Sequence, residues 1–292
     1  MHNKLKEPAL MLISSACTKK QLLSPDFAKW SAELNCQPGR LHRKDWEWCY
    51  IAQALHERGM LQPGKKGLGF AVGKEPLISL FAKYGCDILA TDMDEEGAKK
   101  AGWASTGQHA ANIDALVQEN ICPLEHFKKH VNFKVVDMNK MPSDLGKYDF
   151  IWSSCSIEHL GTLRAGIQFM VNMTKFLKKG GVAVHTTEFN VASNDGTVDN
   201  NPIVIFRKKD FEFLKELVEG CGHKMESLDF FTGDEPEDLY VDQPPYDKLP
   251  HLKLQLGPYA STSLGTIITA GDEQSGWQHF KTTLKNYFHN YR

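Results

Sequence analysis

Residues 67–92 read GLGFAVGKEPLISLFAKYGCDILATD. The apolar run Gly67 to Ala71 predicts a strand that breaks at a glycine turn, and an amphipathic helix follows. A second strand, Cys86 to Thr91, ends on Asp92. Strand, glycine turn, helix, strand and acid form the opening of a nucleotide-binding α/β sheet. Gly69 and Gly73 let the backbone pass close beneath a ligand where a Cβ would collide. A carboxylate about 20 residues further on can accept both hydroxyl protons of a ribose. The module predicts an adenosine-type cofactor without selecting one.

The pattern repeats downstream. A polar, helical region from Asp94 to Val131 leads to strand Phe133 to Val136, which ends on Asp137. Strand Tyr148 to Ser153 runs into SCSIEHLG, and helix Thr162 to Leu177 closes on KKGG before strand Val182 to Thr186. A helix from Asp210 to Glu219 and a strand around Met225 to Phe230 come next. Strands alternating with helices call for a parallel sheet with helices on both faces. The ending differs: a Pro/Asp-rich insertion, Phe231 to Tyr259, precedes TSLGTIITA, and a strand returning without a crossover helix pairs antiparallel.

Two helices precede the sheet. Ser24-Pro25 starts one, with Phe27, Trp30 and Leu34 on one face; Trp46, Tyr50, Ala54, Ile51 and Leu55 mark the other, which stops at Gly59. Their aromatics read as core, although the pair could also cover the cofactor or dock on another subunit. The tail, Gln274 to Arg292, places Trp277, Phe280, Leu284 and Phe288 on one helical face. The expected division is therefore 1–60 as a helical extension or lid, 61–272 as the cofactor-binding domain with its insertion at 231–259, and 273–292 as a C-terminal helix. The terminal helices are candidate contacts in a homo-oligomer.

A net charge of -2 gives no electrostatic footprint for nucleic acid. No apolar run approaches a membrane span. Seven cysteines, odd in number and without a CxxC pair, argue for reduced thiols in a cytoplasmic protein rather than disulfides or zinc. PALMLISSAC, Pro8 to Cys17, has some character of an h-region before a lipidated cysteine. It is short, follows Glu7, and has Ser14 where a branched aliphatic is wanted.

The glycine turn after the first strand, the acids after the second and third, KKGG, and the antiparallel last strand together resemble the class I S-adenosylmethionine-dependent methyltransferases. The resemblance spans about Leu61 to Ala270. It implies a mostly parallel, seven-stranded Rossmann-like α/β sheet with an antiparallel last strand, and S-adenosylmethionine as cofactor. By that resemblance Gly69, Ala71 and Gly73 lie under the methionine half, Asp92 holds the ribose, Asp137 with Met138 reads the adenine, and Ser154 lies in the loop contacting cofactor and substrate. The family's first acid is Gly67 here and its middle glycine is Ala71; Glu75 is the candidate to meet the cofactor's amino group instead.

Methyl transfer from a sulfonium is an in-line displacement, so positioning dominates and a hydroxyl acceptor gains from a general base. The candidates at strand ends are His159, His185 and Glu188. His159 has the right ordinary pKa, whereas His185 lies in an apolar strand where a satisfied core histidine is the plainer reading. His185, Glu188 and Asp195 could together hold Mg²⁺, but no spacing rule supports it and no metal is expected. The acceptor expected is a small molecule or saccharide methylated at oxygen, for which the aromatics Phe231, Tyr240 and Tyr246 offer stacking surfaces. Two other readings stand: an NAD(P)-dependent oxidoreductase, although no tyrosine has the lysine four residues on that the short-chain type requires, and a non-catalytic cofactor-binding scaffold.

Overall fold

A computed structural model describes residues 11–100, 109–272, 283–285 and 287. Strand β1 (Ser14–Ala16) leads into helices α1 (Lys19–Leu22), α2 (Pro25–Glu33) and α3 (Arg43–Glu57). The Ser24 hydroxyl accepts from the Phe27 N–H and caps α2, with Pro25 in the first turn, where its missing N–H costs nothing. Phe27, Trp30, Leu34, Trp46, Tyr50, Ile51, Ala54 and Leu55 are all buried. The 3.6-residue period of apolar side chains thus turns both helices onto the core.

The alternating part follows as β2 (Lys66–Gly69), α4 (Leu77–Lys83), β3 (Asp87–Asp92), α5 (Glu95–Lys100), α6 (Leu124–His130) and β4 (Val131–Val135). It continues with β5 (Tyr148–Ser154), α7 (Leu163–Asn172), β6 (Leu177–Asn190) and α8 (Lys208–Gly220). The last part holds β7 (Lys224–Met225), β8 (Leu228–Asp229), α9 (Pro236–Leu239), β9 (Val241–Asp242), β10 (Lys253–Leu256) and β11 (Tyr259–Thr269).

Strands β4-β3-β2-β5-β6 run parallel, and β11 lies antiparallel beside β6 from Ser261↔Asn190 to Thr269↔Val182. Among the described residues the sheet is 11-stranded, not seven-stranded. β11 is 11 residues long, and its outer edge is shared by short antiparallel partners: β10, β1 and β7. Strands β8 and β9 pair in turn with β1 and β10. The insertion thus extends the sheet edge through β9 and β10.

Other boundaries differ for local reasons. The first strand stops at Gly69, because Ala71 takes a positive φ of 45° that no strand residue adopts. Helix α7 gives way to a 3₁₀ turn at Met173–Phe176, and β6 begins at Leu177, so KKGG lies inside the strand. The strand expected at 225–230 is split into β7 and β8. In the C-terminal segment Leu284 is buried and Tyr287 stacks on Phe213 at 3.6 Å; Trp277, Phe280 and Phe288 lie outside the described residues.

Two apolar layers sandwich the sheet. One holds Trp30, Trp46, Tyr50, Phe81 and Trp152 beneath α2, α3 and α4; the other holds Phe70, Phe169, Phe206 and Phe211 beneath α7 and α8. Helix α3 packs directly on β5, β6 and β11. Its approach is so close that a Cβ at Gly265 would collide with the Tyr50 ring. The Tyr50 hydroxyl donates to the Ile13 carbonyl at 2.8 Å, fixing the helix to the segment before β1.

Candidate active site

The carboxyl ends of β2, β3 and β5 meet beneath the start of α3. After β2 the chain turns through Ala71 and Gly73, both with positive φ. The Val72 N–H donates to the Thr91 carbonyl at 3.1 Å, and the Thr91 hydroxyl donates to the Gly69 carbonyl at 2.7 Å. The left-handed conformation at Ala71 explains why glycine suits that position.

Asp92 closes this turn from the end of β3. Its Oδ2 accepts the Gly73 N–H at 3.1 Å and the Ala110 N–H at 3.4 Å; its Oδ1 accepts the Met93 N–H at 2.8 Å. Burial raises its carboxyl above the ordinary value, and those N–H groups pull it back. Asp137 caps the next turn by accepting the Asn139 N–H at 2.8 Å. Met138 beside it is buried and borders a cavity of about 590 Å³ that extends along α7, away from the strand ends.

Helix α3 delivers charge to the same place. Arg43 Nη2 lies 2.5 Å from Glu188 Oε1, and its Nη1 lies 3.4 Å from Glu47 Oε1 and 3.0 Å from Ser263 Oγ. Lys44 Nζ lies 3.1 Å from Glu47 Oε2 and 3.2 Å from Glu75 Oε1. Glu47 is wholly buried and accepts from Ser154 Oγ at 3.1 Å, Cys155 Sγ at 2.9 Å and Ser263 Oγ at 2.5 Å. Desolvation alone would raise Glu47, but the charges of Lys44 and Arg43 outweigh it and bring it to about 2. At Glu188 the balance reverses. Burial is the largest influence and raises its carboxyl, with Arg43 opposing.

Glu158 completes the group, held by the Thr187 hydroxyl at 2.8 Å from Oε2. Four carboxyl groups (Glu47, Glu75, Glu158, Glu188) thus face two cations, Arg43 and Lys44, in one largely buried cluster. Cys155 lies among them at a positive φ of 41°, its thiol pushed well up by burial and by the charges of Glu158 and Glu47. One hydrogen-bonding position of Arg43, Nε, is buried without a partner.

The sequence-derived candidates separate here. Glu188, Glu75 and Ser154 enter the cluster. His185 does not: it faces the opposite layer, edge-on to Phe169 at 5.8 Å, with Nδ1 2.7 Å from Ser153 Oγ. Burial drops its pKa to about 3, so it is a core histidine. His159 sits on a 3₁₀ turn, Ile157–His159, with Nδ1 2.9 Å from the Pro202 carbonyl. Alternation sends His185 and Glu188, three apart on one strand, to opposite faces, and the Asp195 side chain is fully exposed beside Lys209. The Mg²⁺ set His185–Glu188–Asp195 therefore does not assemble. A different metal-capable set, Cys155–Glu158–Glu188, has ligand atoms within 4.8 Å of one another, and the Arg43 guanidinium already supplies positive charge there.

Arg43, Lys44 and Glu47 escape a sequence reading because they look like the polar face of an amphipathic helix. A second unread group lies beside them. His251 Nδ1 is 2.7 Å from Asp242 Oδ2, and the His251 ring stacks on His42 at 4.5 Å. The Arg43 N–H donates to the His251 carbonyl at 2.9 Å, so the insertion grips the start of α3.

The donor set suits a nucleoside carrying positive charge. Asp92 offers a carboxylate at a strand end, and the cluster above the turn has carboxyl groups in excess over cations, the complement of a sulfonium and an ammonium. Residues 68–185 match the family described as a methyltransferase domain. No curated protein matches the chain. Among solved structures, magnesium protoporphyrin IX methyltransferase from Synechocystis PCC 6803 aligns at 14% identity and TM-score 0.42, covering 85% of this chain and 93% of that one. Phosphoethanolamine N-methyltransferase 2 from Haemonchus contortus aligns at 12% identity and TM-score 0.46, over 84% of this chain and 57% of that one. An S-adenosylmethionine-dependent methyltransferase from Clostridium acetobutylicum aligns at 12% identity and TM-score 0.42, over 86% and 96%. These are distant likenesses. Among the described residues, no helix is long and apolar enough to cross a membrane.

Proposed function

We propose that this chain is a class I S-adenosylmethionine-dependent methyltransferase that places the methyl group on an oxygen of a small polar or saccharide acceptor, with Glu188 as the general base. The observation that carries this reading is the excess of carboxyl groups over cations in the cluster of Glu47, Glu75, Glu158 and Glu188 with Arg43 and Lys44. The bound cofactor supplies an electrophilic methyl group on a positively charged sulfur.

In this reading the turn of Gly69, Ala71 and Gly73 passes beneath the methionine half, and Asp92 accepts from the ribose hydroxyls. Asp137 and Met138 border the adenine, while Ser154 and Glu75 flank the methionine end. Glu188 is held by Arg43 and Ser261, which fixes its direction, and its raised pKa makes it a better proton acceptor than an ordinary carboxylate. With the cofactor bound, the Glu188 carboxylate would accept the acceptor's hydroxyl proton as its oxygen takes up the methyl group. Burial excludes water, strengthens the cluster's field and limits hydrolysis. Neither His185 nor His159 takes that role.

The test is a screen of hydroxyl-bearing saccharides and small phenols for release of S-adenosylhomocysteine, with the product's methyl position read by NMR. An oxygen-bound methyl group, together with Glu188→Gln losing turnover at unchanged cofactor affinity, is the expected result. A nitrogen- or carbon-bound product, or full turnover in Glu188→Gln, overturns the acceptor assignment or the base respectively.

A further inference from the structure

We infer that helix α3 carries half of the receptor for the amino-acid end of the cofactor: Lys44 for its carboxylate, and Glu47 together with Glu75 for its ammonium. The inference rests on the cofactor reading above and adds residues from outside the 68–185 stretch that matches the methyltransferase domain.

The placement of Lys44 is the starting point. Its Nζ lies 3.1 Å from Glu47 Oε2, 3.2 Å from Glu75 Oε1 and 3.5 Å from Ser154 Oγ. Glu75 belongs to the turn that follows β2, its N–H 3.4 Å from the Val72 carbonyl. Ser154 ends β5, the strand hydrogen-bonded to β2 through Gly69↔Trp152. One ammonium therefore bridges α3 to both loops that flank the turn under the methionine half.

An amino acid is a zwitterion and needs one donor cation and one acceptor anion a few ångströms apart. Lys44 and Glu75 form such a pair, and Glu47, with 0% exposure, adds a second carboxylate. Inserting a zwitterion between them exchanges partners without leaving a charge alone: the ligand's carboxylate takes Lys44, and its ammonium takes Glu75 and Glu47. Lys44 and Glu75 are only partly buried, their side chains 28% and 17% exposed, so the pair contributes little net stability and lies where a ligand can reach it and exchange with it. Glu75 is raised by burial and by the neighbouring charge of Glu47 against the pull of Lys44; an incoming ammonium relieves that excess.

The orientation of α3 makes this contact rigid. Tyr50 is locked against Gly265, and the Arg43 N–H is bonded to His251, so Lys44 and Glu47 are held by packing on two sides. Lys44 and Glu47 are thus positioning residues that orient the cofactor for in-line transfer.

Calorimetric titration of the full chain with three ligands tests this. S-adenosylhomocysteine carries the whole amino acid, its decarboxylated analogue keeps only the ammonium, and 5′-methylthioadenosine lacks both. Lys44→Met is expected to weaken S-adenosylhomocysteine about 10- to 150-fold, the range of a charge-assisted hydrogen bond, with the other two ligands unchanged. Glu75→Gln is expected to weaken the first two and spare 5′-methylthioadenosine, and Lys44→Arg to retain most of the affinity. Equal loss for all three ligands in Lys44→Met, or no loss for any, overturns the inference while leaving the cofactor reading intact. Wild-type protein that binds none of the three overturns the cofactor reading itself. If Lys44→Met fails to fold, Glu75→Gln with the same ligands gives the decision.

Discussion

Replacing Asp92 tests the ribose site, and its magnitude can be worked from the hydrogen bonds already present. A carboxylate has about four lone-pair positions. Oδ2 is engaged by Gly73 and, more weakly at 3.4 Å, by Ala110; Oδ1 is engaged by Met93. About one strong position and part of another are left for ligand hydroxyls. A hydrogen bond to a charged group is worth about 1.5–3 kcal/mol, so Asp92→Ala should raise the dissociation constant of S-adenosylhomocysteine about 10- to 150-fold. The same substitution strips partners from three backbone N–H groups, of which only the Ala110 bond is fully buried, and an unsatisfied buried donor costs about 1–3 kcal/mol. Urea unfolding should therefore show a loss in that range before any ligand is added. Calorimetry at a temperature where the variant stays folded separates the two effects. Affinity within twofold of wild type, in a variant shown by unfolding to be native, would refute the ribose assignment.

Three further outcomes are expected. Arg43→Met leaves Glu188 without its cationic partner, while Glu47 keeps Lys44, and should cost about 3–5 kcal/mol in urea unfolding; Arg43→Met with Glu188→Met should cost less than the two single losses added, and strict additivity would remove the pair as a unit. Ala71→Gly relieves a positive φ and should stabilise by about 0.5–1 kcal/mol, whereas a loss of stability would mean that Ala71 is not strained. His185 is held near 3 in the fold against 6.5 when exposed, so protons bind the unfolded chain first as pH falls below 6.5. Stability from this group is complete above that value and declines by about 1.4 kcal/mol per pH unit toward pH 3. His185→Gln should flatten the urea midpoint between pH 7 and 5, and an unchanged slope would contradict the buried neutral state.

The sheet and the turn after β2 were legible because their signals are local. Glycine at a tight turn, an acid at a strand end and an apolar run of fixed period each depend on a few adjacent residues. Even the antiparallel β11 follows locally, from the absence of a crossover helix. Strand β1 was not legible, since Ser14–Ala16 is too short to alternate and its register is set by residues near the other end of the chain. The buried charge cluster was opaque for a similar reason. Arg43, Lys44 and Glu47 at helical spacing look solvated until β6 and β11 bring Glu188 and Ser263 beneath them. His159 and His185 attracted notice by residue type and by their place at strand ends, and only strand alternation reveals that His185 looks the other way. Asp242 and His251 form a pair only because β9 and β10 fold back over the start of α3.

The pairing of Ser15 with Gly265 and Ala16 with Leu264 sets a timetable for synthesis. β1 emerges from the ribosome long before the strand it must join, and at about 5–20 residues per second the wait is tens of seconds. During that interval Trp30, Trp46 and Tyr50 have no completed sheet to cover. Until β11 is made, the helices carrying these aromatics can pack only on part of their final surface, so a pause in translation between β6 and β11 prolongs their partial exposure.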